Sequence, residues 1–286
     1  MSETMKDLRR RRKTVENTEH ITSAMSLVAA SKFHKAKVRY DRSRGPVLQV
    51  MEKMEALLAQ EDGAEVKDPE RIPEPELEKP AVIVIFSGSR GLCGSYNSSL
   101  LKLAERYLSK DAVLIAVGSR GADALRRQGR SLAGTYLKPL EDMEAADAQT
   151  LADILLREWK DREKQEILLI RMRYINSLKQ EGTAERILPA EKKGQPAEGA
   201  NREMEFYPSK EAVLSWLLPK YLQLSLFQSA LEAAVCEHAA RRSAMEHASD
   251  SGREMLAALS LKYNRARQQA VTEELIEIVS GSEVLK

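Results

Sequence analysis

Apolar or small residues recur at alternating steps of three and four near the end of the chain. They are Leu224, Phe227, Leu231, Ala234, then Met245, Ala248, Met255 and Leu259. This spacing predicts a helix with one narrow apolar stripe, the heptad seam of a coiled coil. The same series passes through His238, Arg241 and Gly252, which interrupt it. No proline follows Pro219. A helix over 224–279 would be roughly 80 Å long, far more than one small domain spans. A single stripe on such a helix needs a partner.

The opposite end supplies one. Residues 2–58 read as a second long helix, capped by Ser2 or Thr4 with Asp7 in an early turn. Leu8, Val15, Thr22 and Ala29 fall at sevens, and Ile21, Met25, Val28 and Lys32 lie near the same face. Gly45 and Pro46 suggest a kink, after which Val47 to Leu58 resumes helical spacing. The economical packing sets the two terminal helices against each other, antiparallel if the intervening domain sits at one end of the rod, and the numerous alanines in both segments permit close approach.

Between them the pattern changes. Residues 60–80 are acidic and proline-rich and read as a linker. Ala81 to Phe86 and Ala112 to Val117 are short β-rich runs, each leading through glycine into a helical segment, Asn97 to Leu108 and Arg120 to Gln128. Met143 to Lys160 reads as a further helix and Ile167 to Tyr174 as a third strand. Alternating strands and helices predict a small, parallel sheet with right-handed crossovers. Thr183 to Leu188 and Arg202 to Tyr207 are candidate edge strands or a hairpin around a polar loop at 190–201. Tyr207 and Pro208 lead into a short helix, with Pro219 at the start of the long one.

Charge alters this picture only locally. The net charge is +2 over 286 residues, too small for a whole-molecule polyelectrolyte argument. Residues 1–45 carry 12 Lys or Arg against 5 acids, whereas residues 61–78 carry 8 acids against Lys67 and Arg71. Cys93 and Cys236 are the two cysteines, which makes no disulfide framework and suggests a reducing compartment. The longest clean apolar run is Ala81 to Phe86, far short of a membrane span. Membrane association is therefore expected through partners only.

Candidate chemistry concentrates in Ser87 to Gly94, a glycine-rich turn between a strand and a helix, where backbone amides favour anions. Its glycines do not match a dinucleotide fingerprint, and no Lys-Ser or Lys-Thr completes a Walker loop. A tight turn exploiting glycine is the simpler reading. Cys93, with Arg90 nearby and a helix start behind it, could be a reactive thiol, but no histidine is close in sequence and a small buried residue is the simpler reading. His20, His34, His238 and His247 form no pair at metal-ligand spacing. No catalytic constellation, cofactor site or metal site is expected. Two functional alternatives stand on these patterns alone: a nucleotide-binding α/β enzyme, and a basic coiled-coil adaptor for nucleic acid. Sparse aromatics, the absence of a nucleic-acid-binding module and the acids spread through the chain disfavour the latter.

Particular residues carry a resemblance. Met5-Lys-Asp-Leu-Arg-Arg-Arg, Thr14-Val-Glu-Asn-Thr and Ile21-Thr-Ser-Ala-Met-Ser-Leu-Val-Ala-Ala-Ser-Lys32 resemble the N-terminal helix of the gamma subunits of rotary ATP synthases. Ser89-Arg-Gly-Leu-Cys-Gly-Ser-Tyr-Asn97 is similar to the central motif of that family, with Arg90, Gly91, Leu92, Cys93 and Gly94 at its heart. Glu237-His-Ala-Ala-Arg-Arg-Ser-Ala-Met245 and Tyr263 to Val279 resemble its C-terminal helix. Ser89 and Ser95 depart from the family, which usually has an acid and a glycine there.

The resemblance implies an α/β protein with a long antiparallel coiled coil of its terminal helices plus a central Rossmann-like α/β domain. The expected divisions are 1–60 and 208–286 for the coiled-coil helices, 61–80 for the linker and 81–207 for the central domain. It implies a rotor shaft turning inside a ring of alpha and beta subunits, with the epsilon subunit and the membrane c-ring at its foot, no nucleic acid, and catalysis on other subunits. With neither a redox insertion nor a transit peptide visible, a bacterial plasma membrane is expected, with the chain peripheral on its cytoplasmic side. By the same resemblance, Met25 and Lys32 face acidic loops of the catalytic subunits. Arg267, Gln268, Thr272 and Glu274 form a polar cluster toward those subunits, Ile276, Val279 and Leu285 turn in an apolar bearing, and Tyr207 lies at the foot.

Overall fold

The computed structural model describes residues 4–58, 81–161, 166–188, 207 and 209–284. The expected linker at 61–80, the loop at 190–201, the strand segment 202–206, Pro208 and Leu285 lie outside the described residues. In order, the elements are α1 (Met5–Leu58), β1 (Ala81–Phe86), α2 (Tyr96–Glu105), β2 (Val113–Val117), α3 (Ser119–Arg127), β3 (Gly134–Tyr136), a short 3-10 turn (Leu140–Asp142), α4 (Ala145–Asp161), β4 (Glu166–Tyr174), β5 (Gln180–Leu188) and α5 (Lys210–Val284). The chain divides into two compact units. One is built from the two ends, up to Ala29 and from Arg242 onward; the other is Ala30–Arg241.

The terminal unit is a helix pair. Thr4 Oγ1 accepts the Asp7 amide at 3.3 Å and donates to Asp7 Oδ2 at 2.7 Å, which caps α1 as expected. Leu8, Val15, Thr22 and Ala29 form its buried or half-buried seam, whereas Ile21 and Val28 are exposed. A helical step of about 100° carries each of those two off the seam next to Thr22 and Ala29. On α5 the seam runs through Met245, Ser249, Gly252, Leu256, Leu259, Tyr263, Ala266 and Ala270, at strict alternating steps of four and three. Met255, expected in the stripe, is exposed, and Leu256 takes its place. Contacts pair Arg12 with Tyr263 and Glu19 with Ser249 and Arg253, so the helices run antiparallel. Gly252 explains itself here, because a Cβ on it would stand 3.1 Å from Glu19 Cβ.

The central unit is a three-layer α/β structure. Its sheet has the order β3-β2-β1-β4-β5, parallel throughout except for antiparallel β5. β1 is buried along its whole length, and alternate residues serve different cores. Val82, Val84 and Phe86 face a cluster with α4, Tyr40 of α1 and Leu222 to Val235 of α5. Ile83 and Ile85 face a second cluster with Leu100 of α2 and Leu125 of α3.

Three local expectations change. The hairpin partner of β4 is β5, joined by a turn at Asn176, whose Oδ1 accepts the amides of Leu178 and Lys179. The strand expected from Thr183 begins three residues earlier, at Gln180, while the alternative of edge strands or a hairpin around 190–201 lies outside the described residues. β3 was not foreseen at all, because three residues carry no periodicity. Finally, α5 runs unbroken through Pro219. A helix-interior proline costs about 3 kcal/mol. Burying Leu214, Leu217, Tyr221 and Leu222 around it contributes about 1.5–3 kcal/mol each and outweighs that. α1 likewise continues through Pro46.

Candidate functional site

The turn after β1 stands where the strand order reverses, between β2 and β4. Open α/β sheets bind ligands at such a position, at the carboxyl ends of the strands. Here the anion is supplied by the chain itself. The amides of Ser89 and Arg90 donate to the two oxygens of Glu237 on α5, at 3.2 and 3.3 Å. Arg241, one helical turn on, donates to Glu237 Oε1 at 2.5 Å and to the Gly91 carbonyl at 3.2 Å. Glu237 is only 2% exposed. Gly88 eases this approach, since a Cβ there would lie a tight 3.1 Å from the Glu237 carboxyl carbon. Ser87 Oγ accepts the Gly121 amide at 2.8 Å, and Asn97 Oδ1 accepts the Gly88 amide at 2.8 Å. Thus the amides that could cradle a phosphate hold a buried carboxylate.

A second carboxylate, Glu141, sits between α3 and α4 in the sequence and meets both long helices. Its Oε1 accepts Lys32 of α1 at 2.8 Å, and its Oε2 stands 3.4 Å from Nε2 of buried His238 on α5. Arg39 donates to the carbonyls of Glu141 and Met143. Burial pushes the Glu141 carboxyl up, but the His238 ring beside it and the hydrogen bond from Lys32 outweigh it and hold the group well below the usual carboxylate range.

The expected site residues are placed as follows. Arg90 to Gly94 come together in the turn, with Leu92 in the left-handed region at φ 60°. Cys93 is buried, and burial pushes its thiol up, which argues for packing and against reactivity. Lys32 pairs with Glu141 within the central unit and keeps 38% of its side chain exposed. Met25 is half-buried in the terminal unit. Arg267, Gln268, Thr272, Glu274, Ile276 and Val279 are exposed on α5 of the terminal unit, and Thr272 Oγ1 bonds back to the Gln268 carbonyl. Tyr207 is 93% exposed. Among the described residues no helix is long and apolar enough to cross a membrane, and no group of three or more His, Cys, Asp or Glu is arranged to hold a metal.

Comparison with known proteins adds the decisive observation. The profile of the family described as ATP synthase matches residues 4–285. The ATP synthase gamma chain of Moorella thermoacetica is 35% identical, over 99% of both chains. That of a Parafrankia species is 37% identical, over 100% of this chain and 99% of its own. The chain belongs to the ATP synthase gamma chain family. As a member it is a subunit of a membrane-associated enzyme complex. Among solved structures, a chain of the Euglena gracilis mitochondrial ATP synthase superposes with a TM-score of 0.71 at 18% identity, covering 98% of this chain and 94% of its own. A chain of the Tetrahymena thermophila central stalk and c-ring superposes at 0.59 and 22% identity, over 80% and 99%. These two share the fold.

Against the gamma-family pattern, both departures are accommodated in the turn. Ser89 Oγ donates to the Lys138 carbonyl at 3.0 Å, and Ser95 stands at the N-cap of α2 without a side-chain cap bond. Sequence reasoning did not single out Glu141, Glu237 or Arg241 as site residues. A signal existed for Arg241 and His238: polar residues on an otherwise apolar heptad series. None existed for Glu141, which lies in a loop with no pattern.

Proposed function

We propose that this chain is the central-stalk rotor of an ATP synthase, its terminal helices forming the shaft inside a ring of catalytic beta and non-catalytic alpha subunits. The observation that carries the reading is the match to gamma chains along essentially the whole length, at 35 to 37% identity. Catalysis belongs to the ring. In this chain the amides of the turn after β1 are taken up by Glu237, so that turn holds a carboxylate in place of a nucleotide phosphate. Two unlike helices wound together present a different face in each direction. Rotation biases each catalytic subunit in turn between open and closed states. The foot rests on the membrane c-ring and the epsilon subunit, on the cytoplasmic side of a bacterial plasma membrane.

The exposed residues of the terminal unit support this assignment. Val271, Leu275, Ile276, Ile278 and Val279 are all more than half exposed on one helix end, an apolar surface that calls for a surrounding partner. Ile276 and Val279 are assigned to that bearing. Arg267, Gln268, Thr272 and Glu274 are assigned to loops of the catalytic subunits, together with Met25 and Lys32, and Tyr207 to the foot. Reconstitution with the two large ring subunits tests the reading. Hydrolysis that depends on this chain, with its helices imaged in the central cavity, is the expected result. A ring that turns over equally well without it would overturn the assignment.

A further inference from the structure

Within the central unit, α5 from Leu226 to Val235 is mostly apolar or small apart from Gln228, Ser229 and Glu232, with Ala230, Ala233, Ala234 and Val235 at most 1% exposed. Such a surface packs with similar burial at several settings of the helix. A slip of one residue moves the helix by about 1.5 Å and turns it by about 100°. Apolar burial alone therefore discriminates poorly between settings.

The buried polar groups on the same helix do discriminate. Glu232 pairs with Arg171 of β4, and its Oε1 accepts the Tyr174 amide at 3.0 Å. Arg171 is shared with Glu185 of β5 at 2.7 Å. The Ala233 carbonyl accepts the hydroxyl of Tyr96 of α2 at 3.3 Å. Cys236 Sγ donates to the Met172 carbonyl of β4 at 3.4 Å. Glu237 and Arg241 hold the turn after β1, and His238 faces Glu141. Within ten residues, one helix is tied to β4, α2, the first turn and the loop before α4. Each buried charge would be left unpaired by a one-residue slip, which is far more costly than a change in apolar contact.

We propose that Glu232, Glu237 and Arg241 are positioning residues that form a register lock. They fix the axial and rotational setting of α5 in the central unit, so that torque applied to the sheet domain is delivered to the helix without slip. This rests on the rotor reading. The buried charges are specifying devices in this role more than sources of stability, as buried polar residues that set coiled-coil register are.

The test uses the assembled complex in ion-tight vesicles, reading ATP hydrolysis and ions moved per ATP separately. Glu237→Ala removes the carboxylate from the turn, and Glu237→Asp is the conservative control. Arg171→Met with Glu232→Gln removes both charges while keeping an acceptor for the Tyr174 amide, and replacing both members of a buried pair at once avoids leaving either charge buried without its partner. The expected result is hydrolysis within about twofold of wild type and ions per ATP reduced roughly tenfold, in the double variant and in Glu237→Ala. Partial recovery is expected in Glu237→Asp. If Glu237→Ala fails to assemble, the double variant decides. Wild-type ions per ATP in an assembled double variant overturns the lock and leaves a purely structural pairing. Chain-independent hydrolysis by the wild-type complex overturns the rotor reading itself.

Discussion

One helix, α5, lives in two environments. From Tyr221 to Arg241, in the central unit, it is buried on nearly every side. From Arg242 onward, in the terminal unit, only a seam of one residue in three or four is covered. The composition is not the cause, since alanine and leucine are common in both halves. In the central unit α5 meets a sheet face, α4, and the turn after β1, and apolar surface is buried all round. In the terminal unit it meets one helix, and one stripe suffices. The difference separates two tasks: a core that must be specified in position, and a shaft whose surface stays open to partners.

Truncations on the two halves give the largest contrast. Leu226→Ala, at a fully buried position, is expected to cost about 2–5 kcal/mol in chemical denaturation of the full chain. Leu261→Ala, at a 62% exposed position, is expected to stay within about 0.5 kcal/mol. Equal effects would erase the comparison. Next comes Gly118→Ala in the central unit, where φ is 99° and a Cβ would meet the Ser87 carbonyl oxygen at 2.1 Å. A loss of about 2 kcal/mol or more is expected, together with a shift in the amide resonances of the turn. In the terminal seam, Ser249→Ala removes the 2.8 Å hydrogen bond to Glu19. It is expected to cost about 1 kcal/mol by melting, less than either core change.

The smallest effect is in pH dependence. The folded Glu141 carboxyl is held below its unfolded value, so its contribution is complete above about pH 4.3 and is lost as pH falls toward the folded value. The gap in melting temperature between wild type and Glu141→Gln is therefore expected to be widest near pH 6 and to narrow steadily below pH 4.3. A gap that widened on acidification would mean that the Lys32 and His238 contacts do not hold this carboxylate in solution.

Much of this architecture was legible beforehand, for reasons that differ by element. Both terminal helices announced themselves by sevenfold spacing over many turns, and β1 and β2 by apolar runs that only a doubly covered strand can bury. The proline at 219 was over-read as a boundary, because local backbone cost was weighed without the leucines and tyrosine that surround it in the fold. Met255 was placed in the seam and Leu256 outside it, because two adjacent apolar residues leave the phase of a helix undetermined until a partner selects one.

The site was less legible than the fold. The turn after β1 could be recognised as an anion cradle from its glycines and its position between strand and helix. That the anion is Glu237, about 150 residues downstream, lies beyond any local pattern. Hydrophobic periodicity and glycine chemistry act between neighbours in the chain, so sequence alone determined the long terminal helices, β1, β2 and the kinship. Which buried carboxylate meets which amide or cation is set by long-range packing, so Glu237 in the turn, Glu141 between Lys32 and His238, and Glu232 on Arg171 were decided only when the tertiary structure brought them together.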